Sequence, residues 1–171
     1  FSIVDNCAFF GGSTTANTKG ILIGIEAEEA NEMMAFSKIT NCKWNTFLAR
    51  ENELDIGIQI GMSSAQIAGR IFYGSEISDN IIMAKDYGIH LYTGESNNNG
   101  SVIARNVIGS VQLEAGAQHG IYSAAADELT KVTDNRISSV EAPITNFATA
   151  NVIFNVTSTA GNETDVEWTW S

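Results

Sequence analysis

The sequence predicts an all-β chain that folds as a parallel β-helix, a solenoid of about six coils with irregular loops. Two short motifs recur along almost the whole chain, and they alternate in strict order. Each motif has the two-residue periodicity of apolar side chains that is typical of a short strand. One such coil cannot bury its own apolar face, whereas stacked coils share a continuous core and pair each strand with the next.

The first motif is a β-branched residue, two variable residues and an asparagine. Its copies end at Asn6, Asn80, Asn106, Asn135 and Asn155, and Lys38-Ile-Thr-Asn41 is a variant in which the isoleucine is shifted by one position. Asparagine tolerates left-handed backbone, so it can turn the chain between strands. Asparagines at one fixed position of successive coils can also form a hydrogen-bonded ladder.

The second motif is Gly-Ile followed by alternating apolar residues. Its copies begin at Gly20, Gly57, Gly88 and Gly120, with Pro143-Ile144 as a degenerate fifth copy. The unequal spacing predicts loops of variable length, at 10–18, 26–35, 45–54, 92–100 and 111–118. Loops of this kind cluster on the faces of a solenoid and commonly build binding sites. Short helical segments are expected only at residues 26–34 and 124–128.

The amino-acid composition argues against some classes of binding partner. The 171 residues carry a net charge of −11, which argues against nucleic acid and against anionic lipid as partners. No apolar run approaches the roughly 20 residues that a membrane-spanning helix needs. Because Phe1 and the residues after it already resemble the interior of a strand, we expect one β-helix domain over residues 1–171 that is a fragment of a longer chain.

The two cysteines, Cys7 and Cys42, each follow an asparagine and therefore fall at equivalent positions of neighbouring coils. The simplest interpretation is a pair of small stacked side chains. A disulfide or a metal site are the alternatives, although a metal site would need more ligands than the sequence offers nearby. We expect no metal and no cofactor.

Two aspartates are candidates for catalysis. Asp55 and Asp86 each stand two residues before the glycine of the second motif, so adjacent coils place their backbones about 5 Å apart. Glycosidases use two carboxylates, about 5 Å apart when retaining and about 6.5–9.5 Å apart when inverting. Close like charges also raise one pKa, which suits a general acid. The alternatives are that each aspartate caps the turn before its strand, or that the pair binds an ion.

Candidate substrate-binding residues share the face that points away from the Gly-Ile core position. They are Gln59, His90, Tyr92 and Tyr122; His119, directly before Gly120, and Glu95, in the neighbouring loop 92–100, are further candidates. Aromatic faces stack on the C–H faces of sugars, and amide or imidazole groups hydrogen-bond their hydroxyls. Scattered exposed aromatics, a contact between subunits and a solvated loop charge at Glu95 are the alternatives.

Together the Asn and Gly-Ile coils resemble the pectate-lyase-like right-handed, single-stranded parallel β-helix, and are most similar to the trunks of bacteriophage tailspikes and polysaccharide depolymerases. The resemblance implies a homotrimer at the virion tail, extracellular, that binds and often cleaves a bacterial capsule or O-antigen polysaccharide. It leaves open a glycoside hydrolase or a polysaccharide lyase. Pectate lyases need calcium and a basic group, and only nine Lys and Arg without an obvious cluster disfavour that chemistry.

Two other classes of function remain open, because a fold does not fix an activity. One is a non-catalytic fibre shaft or a glycan-binding adhesion module. The other is a bacterial adhesin passenger or a secreted lyase fragment, which would lack trimer contacts. Trp168 and Trp170 lie on one face of an alternating segment near the end of the sequence, where they are expected to cap the stack or to contact another chain.

Overall fold

The computed structural model describes residues 2–10, 18–23, 32–45, 54–61, 70–92, 100–109 and 119–159. These ranges form an all-β structure in which every strand pairing is parallel. They contain a single-turn 3-10 helix, Thr149–Asn151, and no α-helix. The prediction of an all-β fold with parallel pairing is confirmed.

Three large sheets and one small sheet contain all the described strands. Sheet A holds β1 (Ile3–Asp5), β5 (Lys38–Thr40), β9 (Glu76–Ser78), β12 (Val102–Ala104), β15 (Lys131–Thr133) and β18 (Val152–Ile153). Sheet B holds β2 (Ala8–Phe10), β6 (Lys43–Asn45), β10 (Ile81–Met83), β13 (Val107–Gly109), β16 (Arg136–Val140) and β19 (Val156–Thr159). Sheet C holds β3 (Lys19–Ile23), β7 (Ile56–Ile60), β11 (Tyr87–Leu91), β14 (His119–Asp127) and β17 (Ala142–Phe147). Sheet D pairs β4 (Glu32–Ala35) with β8 (Arg70–Tyr73).

The chain passes through sheets A, B and C in that order and then returns to sheet A. We call one such passage a repeat; the described strands of the large sheets form five full repeats and the sheet A and sheet B strands of a sixth. Each strand pairs with the equivalent strand of the next repeat, so the same sequence position recurs in a column across each sheet. Side chains that point inward in one repeat therefore stack on inward side chains of the next.

Isoleucine dominates the core because a β-branched side chain packs well on a pleated surface. The inward columns of the three large sheets are at most 1% exposed at their centres, for example Ile77 and Ile103 in sheet A, Ile108 in sheet B, and Ile58 and Ile89 in sheet C. Neighbouring members of each column are direct register partners, such as Ile77 and Ile103. The alternation seen in the sequence thus corresponds to one shared apolar core.

A buried asparagine ladder runs along the corner between sheets A and B. Asn80, Asn106, Asn135 and Asn155 occupy one column and are at most 8% exposed. The backbone N–H of Asn106 donates to Asn135 Oδ1 at 3.0 Å, and Asn106 Nδ2 donates to the same oxygen at 2.9 Å. Asn106 Nδ2 also donates to the carbonyl of Ile77 at 3.0 Å. Equivalent bonds join Asn80 to Asn106 and Asn135 to Asn155, so the predicted ladder exists in these repeats.

The prediction that Asn6 and Asn41 belong to this ladder is wrong by one residue. The register aligns Val4 with Ile39 and Ile39 with Ile77, which places both asparagines level with Asp79. That position has left-handed backbone in every repeat, with φ of 53° at Asn6 and 58° at Asp79. Asparagine is favoured there for its backbone tolerance, so the first two repeats use it one residue before the ladder position.

Cys7 and Cys42 hold the ladder position in the first two repeats. Their neighbours confirm the predicted equivalence, because Phe9 pairs with Trp44 and their rings stack with centroids 4.8 Å apart. The backbone N–H of Cys42 donates to Asn80 Oδ1 at 2.9 Å, which joins the cysteine column to the ladder. Both thiols are free, Cys7 exposed and Cys42 buried.

A serine ladder that was not predicted follows the opposite corner of sheet A. The backbone N–H groups of Ser2, Ser37 and Ser75 donate to the hydroxyl of the next serine, Ser37, Ser75 and Ser101, at 3.0, 3.1 and 3.3 Å. The overlooked signal is a serine two residues before the inward Ile or Val of the first four sheet A strands. Polar ladders therefore border sheet A on both sides.

The predicted helical segments are wrong where the structure describes them. Residues 32–35 form β4, and residues 124–127 are the end of β14. Extended pairing with β8 and with β17 overrides the weak helical preference of these short segments. Glu95, Trp168 and Trp170 lie outside the described residues.

Candidate functional site

The outer column of sheet C collects most of the predicted site residues. The register aligns Leu22 with Gln59, Gln59 with His90, and His90 with Tyr122. The strands place these side chains on the face opposite the isoleucine column of the core. They are not uniformly exposed, however, because Gln59 and His90 are only 3% and 4% accessible.

Five rings pack together around His90, and we call them the ring cluster: Tyr87, His90, Tyr92, His119 and Tyr122. The His90 ring lies 4.1 Å from Tyr92, 4.4 Å from Tyr87 and 5.1 Å from Tyr122, measured between centroids. Tyr87 also stacks on His119 at 5.2 Å with the two planes 5° apart. The four outer rings are half-buried, so His90 is enclosed by rings that themselves reach the surface.

Tyr87 is the member that sequence reasoning missed. A regular strand would place Tyr87 and His90 on opposite faces, because they are three residues apart. Their stacked rings, and the inward position of Gly88 beside Ile108, show that the alternation of faces breaks at Gly88, although the register is the same on both sides of it. A Cβ on Gly88 would lie 2.4 Å from Ile108 Cγ2 and 2.6 Å from the Gly120 carbonyl. The recurring glycine therefore permits an irregularity that turns Tyr87 onto the outer face, and the signal was the aromatic residue directly before the glycine.

Hydrogen bonding in the ring cluster is incomplete. His119 Nδ1 lies 3.2 Å from the hydroxyl of Thr145, and Gln59 Nε2 donates to the Gly61 carbonyl at 2.8 Å. Both ring nitrogens of His90 and Oε1 of Gln59 are buried without a hydrogen-bond partner in the described part of the chain. Buried polar atoms are usually paired, so three adjacent exceptions mark this place as unusual.

Burial sets the protonation of the cluster. Together with smaller effects of His119 and Lys19, it lowers the pKa of the His90 imidazole to about 4. Burial also lowers the pKa of His119, although the Glu141 carboxylate opposes that effect. The pKa of the Tyr87 hydroxyl is raised, mainly by burial. At neutral pH the centre of the cluster is an uncharged imidazole.

The two candidate catalytic aspartates occupy adjacent repeats at the start of sheet C. The backbone N–H of Asp86 donates to the Asp55 carbonyl at 2.8 Å. Asp55 Oδ2 accepts the backbone N–H of Thr18 at 2.8 Å and the Thr18 hydroxyl at 3.2 Å, and Asp55 is 8% exposed. Asp55 thus bonds the turn of the preceding repeat, whereas the capping alternative placed its bonds in the turn before its own strand.

Asp86 differs from Asp55 in its surroundings. It is half-buried, and no hydrogen bond holds its carboxylate within the described residues. Burial raises the pKa of Asp86, and the nearby Asp55 charge raises it further, against a smaller opposite effect of Lys85. A carboxyl group with a raised pKa can donate a proton, so Asp86 is the member of the pair that is suited to act as a general acid.

Variation in loop length is confined to the two borders of sheet C. The corner between sheets A and B has two residues in all six repeats. Between sheets B and C the connection ranges from one residue, Glu141, to ten, at 46–55, and between sheets C and A it ranges from three to fifteen. Both variable borders flank the face that carries the ring cluster. Segments of variable length on a regular scaffold are typical of binding sites.

Neither the scan of family models nor the searches of curated proteins and of solved structures found a match to this chain. Within the described ranges, no three His, Cys, Asp or Glu side chains converge in a way that could hold a metal ion. The same part of the chain contains no helix that is long and apolar enough to cross a membrane.

Proposed function

We propose that the chain is a single-stranded right-handed parallel β-helix of the bacteriophage tailspike type that binds and cleaves a bacterial surface polysaccharide. The observation that carries this proposal is the ring cluster on the outer face of sheet C, beside Asp86 and between the two borders of variable loop length. The order of strands through sheets A, B and C supports the β-helix. Assembly as a homotrimer on a virion tail, outside the cell, belongs to the same proposal.

The chemical role of the site follows from its groups. Half-buried tyrosine and histidine rings offer faces for the C–H surfaces of sugars, and their polar atoms offer hydrogen bonds to hydroxyls. Asp86 donates its proton to the leaving glycosidic oxygen as the bond between that oxygen and the anomeric carbon breaks, and a water molecule that gives its proton to Asp55 adds to the same carbon. Asp55 raises that pKa through its charge and positions the turn through Thr18.

A second candidate function is a non-catalytic glycan-binding module or fibre shaft. The observation that favours it is the engagement of Asp55, because a hydrogen-bonded and 8% exposed carboxylate is poorly placed to be a nucleophile or a base. Hydrolysis by two carboxylates needs a second acid that is free to react. In this case the ring cluster would hold a glycan that another domain or another protein cleaves.

The deciding experiment combines light scattering with incubation of the chain against a panel of capsular and O-antigen polysaccharides. We expect a trimer that shortens one glycan, with the rate reduced on the order of 10²-fold or more in Asp86→Asn. Asp134→Asn is the matched control, because Asp134 is exposed at the left-handed corner where asparagine is equally suited. A glycan that is bound and never shortened would establish the second candidate. A chain that binds no glycan of the panel would contradict both.

A further inference from the structure

The most unusual chemical feature of the ring cluster is a pair of adjacent, incompletely bonded side chains, His90 and Gln59. They are register partners on β11 and β7, and both are at least 96% buried. Neither ring nitrogen of His90 has a hydrogen-bond partner among the described residues, and the same holds for Gln59 Oε1. Elsewhere in the described ranges, Trp44 Nε1 is the other buried side-chain atom without a partner, and it lies in the apolar core.

The hydrogen-bonding capacity of the pair defines what would complete it. A neutral imidazole has one N–H donor and one acceptor nitrogen, and the amide oxygen of Gln59 is a second acceptor. Gln59 Nε2 already has a partner, because one of its two N–H groups donates to the Gly61 carbonyl at 2.8 Å. The missing partner must therefore donate two hydrogen bonds and accept one. Two neighbouring hydroxyl groups satisfy all three atoms, because each hydroxyl can donate and accept.

An anionic group cannot satisfy the pair. A carboxylate or a sulfate only accepts, so it would face the acceptor nitrogen of His90 and Gln59 Oε1 without a proton between them. The surrounding charges add to this, since Asp55, Asp86 and Glu141 all act on titratable groups at the site. Lys19 acts on His90, and no arginine lies in the described strands of sheet C. Recognition of acidic sugars usually depends on arginine or lysine at the contact.

We propose that His90 and Gln59 bind a pair of neighbouring hydroxyl groups of a sugar residue, and that the carboxylates of Asp55, Asp86 and Glu141 around the site restrict this sugar to an uncharged one. This inference rests on the proposed function and narrows it to one class of glycan. The rings of Tyr92 and Tyr87 lie against His90 at 4.1 and 4.4 Å, so the hydroxyl groups would reach the imidazole at its edge, where its two nitrogens lie.

The test uses nitrogen NMR of the whole chain labelled in its histidines, which number only two. The probes are methyl glycosides of glucose, galactose and mannose, with sodium glucuronate and galacturonate as acidic counterparts. We expect saturable shifts of both His90 nitrogens with at least one neutral glycoside and no saturable shift with either uronate. In Gln59→Leu the apparent Kd should rise on the order of tenfold, the loss of about one good hydrogen bond. Thr40→Val, on sheet A, is the control and should match the unaltered chain.

Two results would overturn the inference. Equal saturable shifts with uronates would remove the preference for a neutral sugar. The second result is that the His90 nitrogens are already hydrogen-bonded in buffer and that no glycoside shifts their NMR signals. The pair would then have a structural role, with water as its hydrogen-bond partner. The outcome is separable from that of the proposed function: cleavage of a polysaccharide with unmoved His90 signals contradicts this inference alone. Saturable shifts without binding of any polysaccharide contradict the proposed function alone.

Discussion

The asparagine ladder and the His90–Gln59 pair both bury polar side chains, yet they do so in opposite ways. In the ladder, Asn106 donates three hydrogen bonds and its Oδ1 accepts two more from Asn80. In the pair, three buried atoms have no partner within the described chain. A satisfied buried network rigidifies a fold, whereas unsatisfied groups destabilise it and are tolerated where they serve a ligand. The contrast separates the part of the molecule that holds the stack together from the part that is suited to binding.

The largest expected effect comes from breaking the ladder. Asn106→Leu keeps the approximate size of the side chain but removes the acceptor of the Asn80 backbone N–H, and it removes one hydrogen bond each from Asn80 Nδ2 and the Ile77 carbonyl in the core. We expect the free energy of unfolding to fall by about 4 kcal/mol, measured by chemical denaturation. Asn6→Gly is the control, because Asn6 is exposed with φ of 53° and glycine adopts that conformation freely. Equal losses in the two variants would show that the ladder bonds add nothing beyond the turn.

The second prediction concerns the glycine that brings Tyr87 beside His90. In Gly88→Ala the new methyl group would lie 2.4 Å from Ile108 Cγ2 and 2.6 Å from a backbone carbonyl. We expect a loss of about 3 kcal/mol on denaturation and a weaker near-ultraviolet signal from the ring cluster. Gly109→Ala is the matched change, since its methyl group would meet only the flexible end of Met83 at 3.3 Å. A similar cost at both glycines would contradict the close packing assigned to Gly88.

The third prediction is a pH dependence that belongs to His90. Its pKa is about 4 in the folded chain, below the value near 6.5 of an unfolded histidine, so the unfolded chain binds the proton first. The contribution is fully present above about pH 6.5 and is lost as the pH falls to about 4, by about 2 to 3 kcal/mol. Carboxylates titrate in the same range, so the measurement is the difference between denaturation profiles of the unaltered chain and His90→Phe. A difference that stays constant from pH 7 to pH 4 would rule out an uncharged, buried His90.

The smallest expected effect is an increase in the free energy of unfolding, whereas breaking the ladder decreases it. His90→Phe keeps an aromatic ring of similar size and removes two buried nitrogens that lack partners. We expect a gain of about 1 to 2 kcal/mol at pH 7.5, while an apolar replacement in the ladder is costly. Calorimetric melting of His90→Phe and Asn106→Leu side by side measures both signs. Destabilisation of His90→Phe would mean that its nitrogens are bonded in solution and that the contrast with the ladder is false.

Much of the framework follows from the sequence, because stacked repeats force equivalent residues into columns. The Gly-Ile motif alone predicts the core positions of sheet C and the outer column of Gln59, His90 and Tyr122, and the register of the strands agrees. The asparagine column failed in the first two repeats, since asparagine suits both the left-handed corner and the ladder beside it. Sequence pattern alone cannot separate two adjacent positions that favour the same residue for different reasons.

Most residues of the candidate site could be predicted from the sequence, but their burial and their contacts could not. Period-two alternation placed His90 on an outer face, and outer position suggested exposure; the packing of three further rings buries it instead. Tyr87 was missed because alternation assigns it to the other face, and only the irregularity at Gly88 corrects this. The roles of Asp55 and Asp86 diverge for a similar reason, since the bond from Thr18 to Asp55 depends on the contact between two repeats.

The corner between sheets A and B contains two residues in every repeat, whereas the borders of sheet C vary in length. A deletion or insertion of one residue therefore has very different consequences at the two places. At the invariant corner it would shift the sheet B strand that follows by one position and turn the inward isoleucine of that strand away from the core. At the borders of sheet C the extra residue is absorbed before the next strand begins. Insertions and deletions are therefore tolerated mainly in the segments that flank the ring cluster. New ligand specificities can arise there during evolution while the stacked scaffold stays the same.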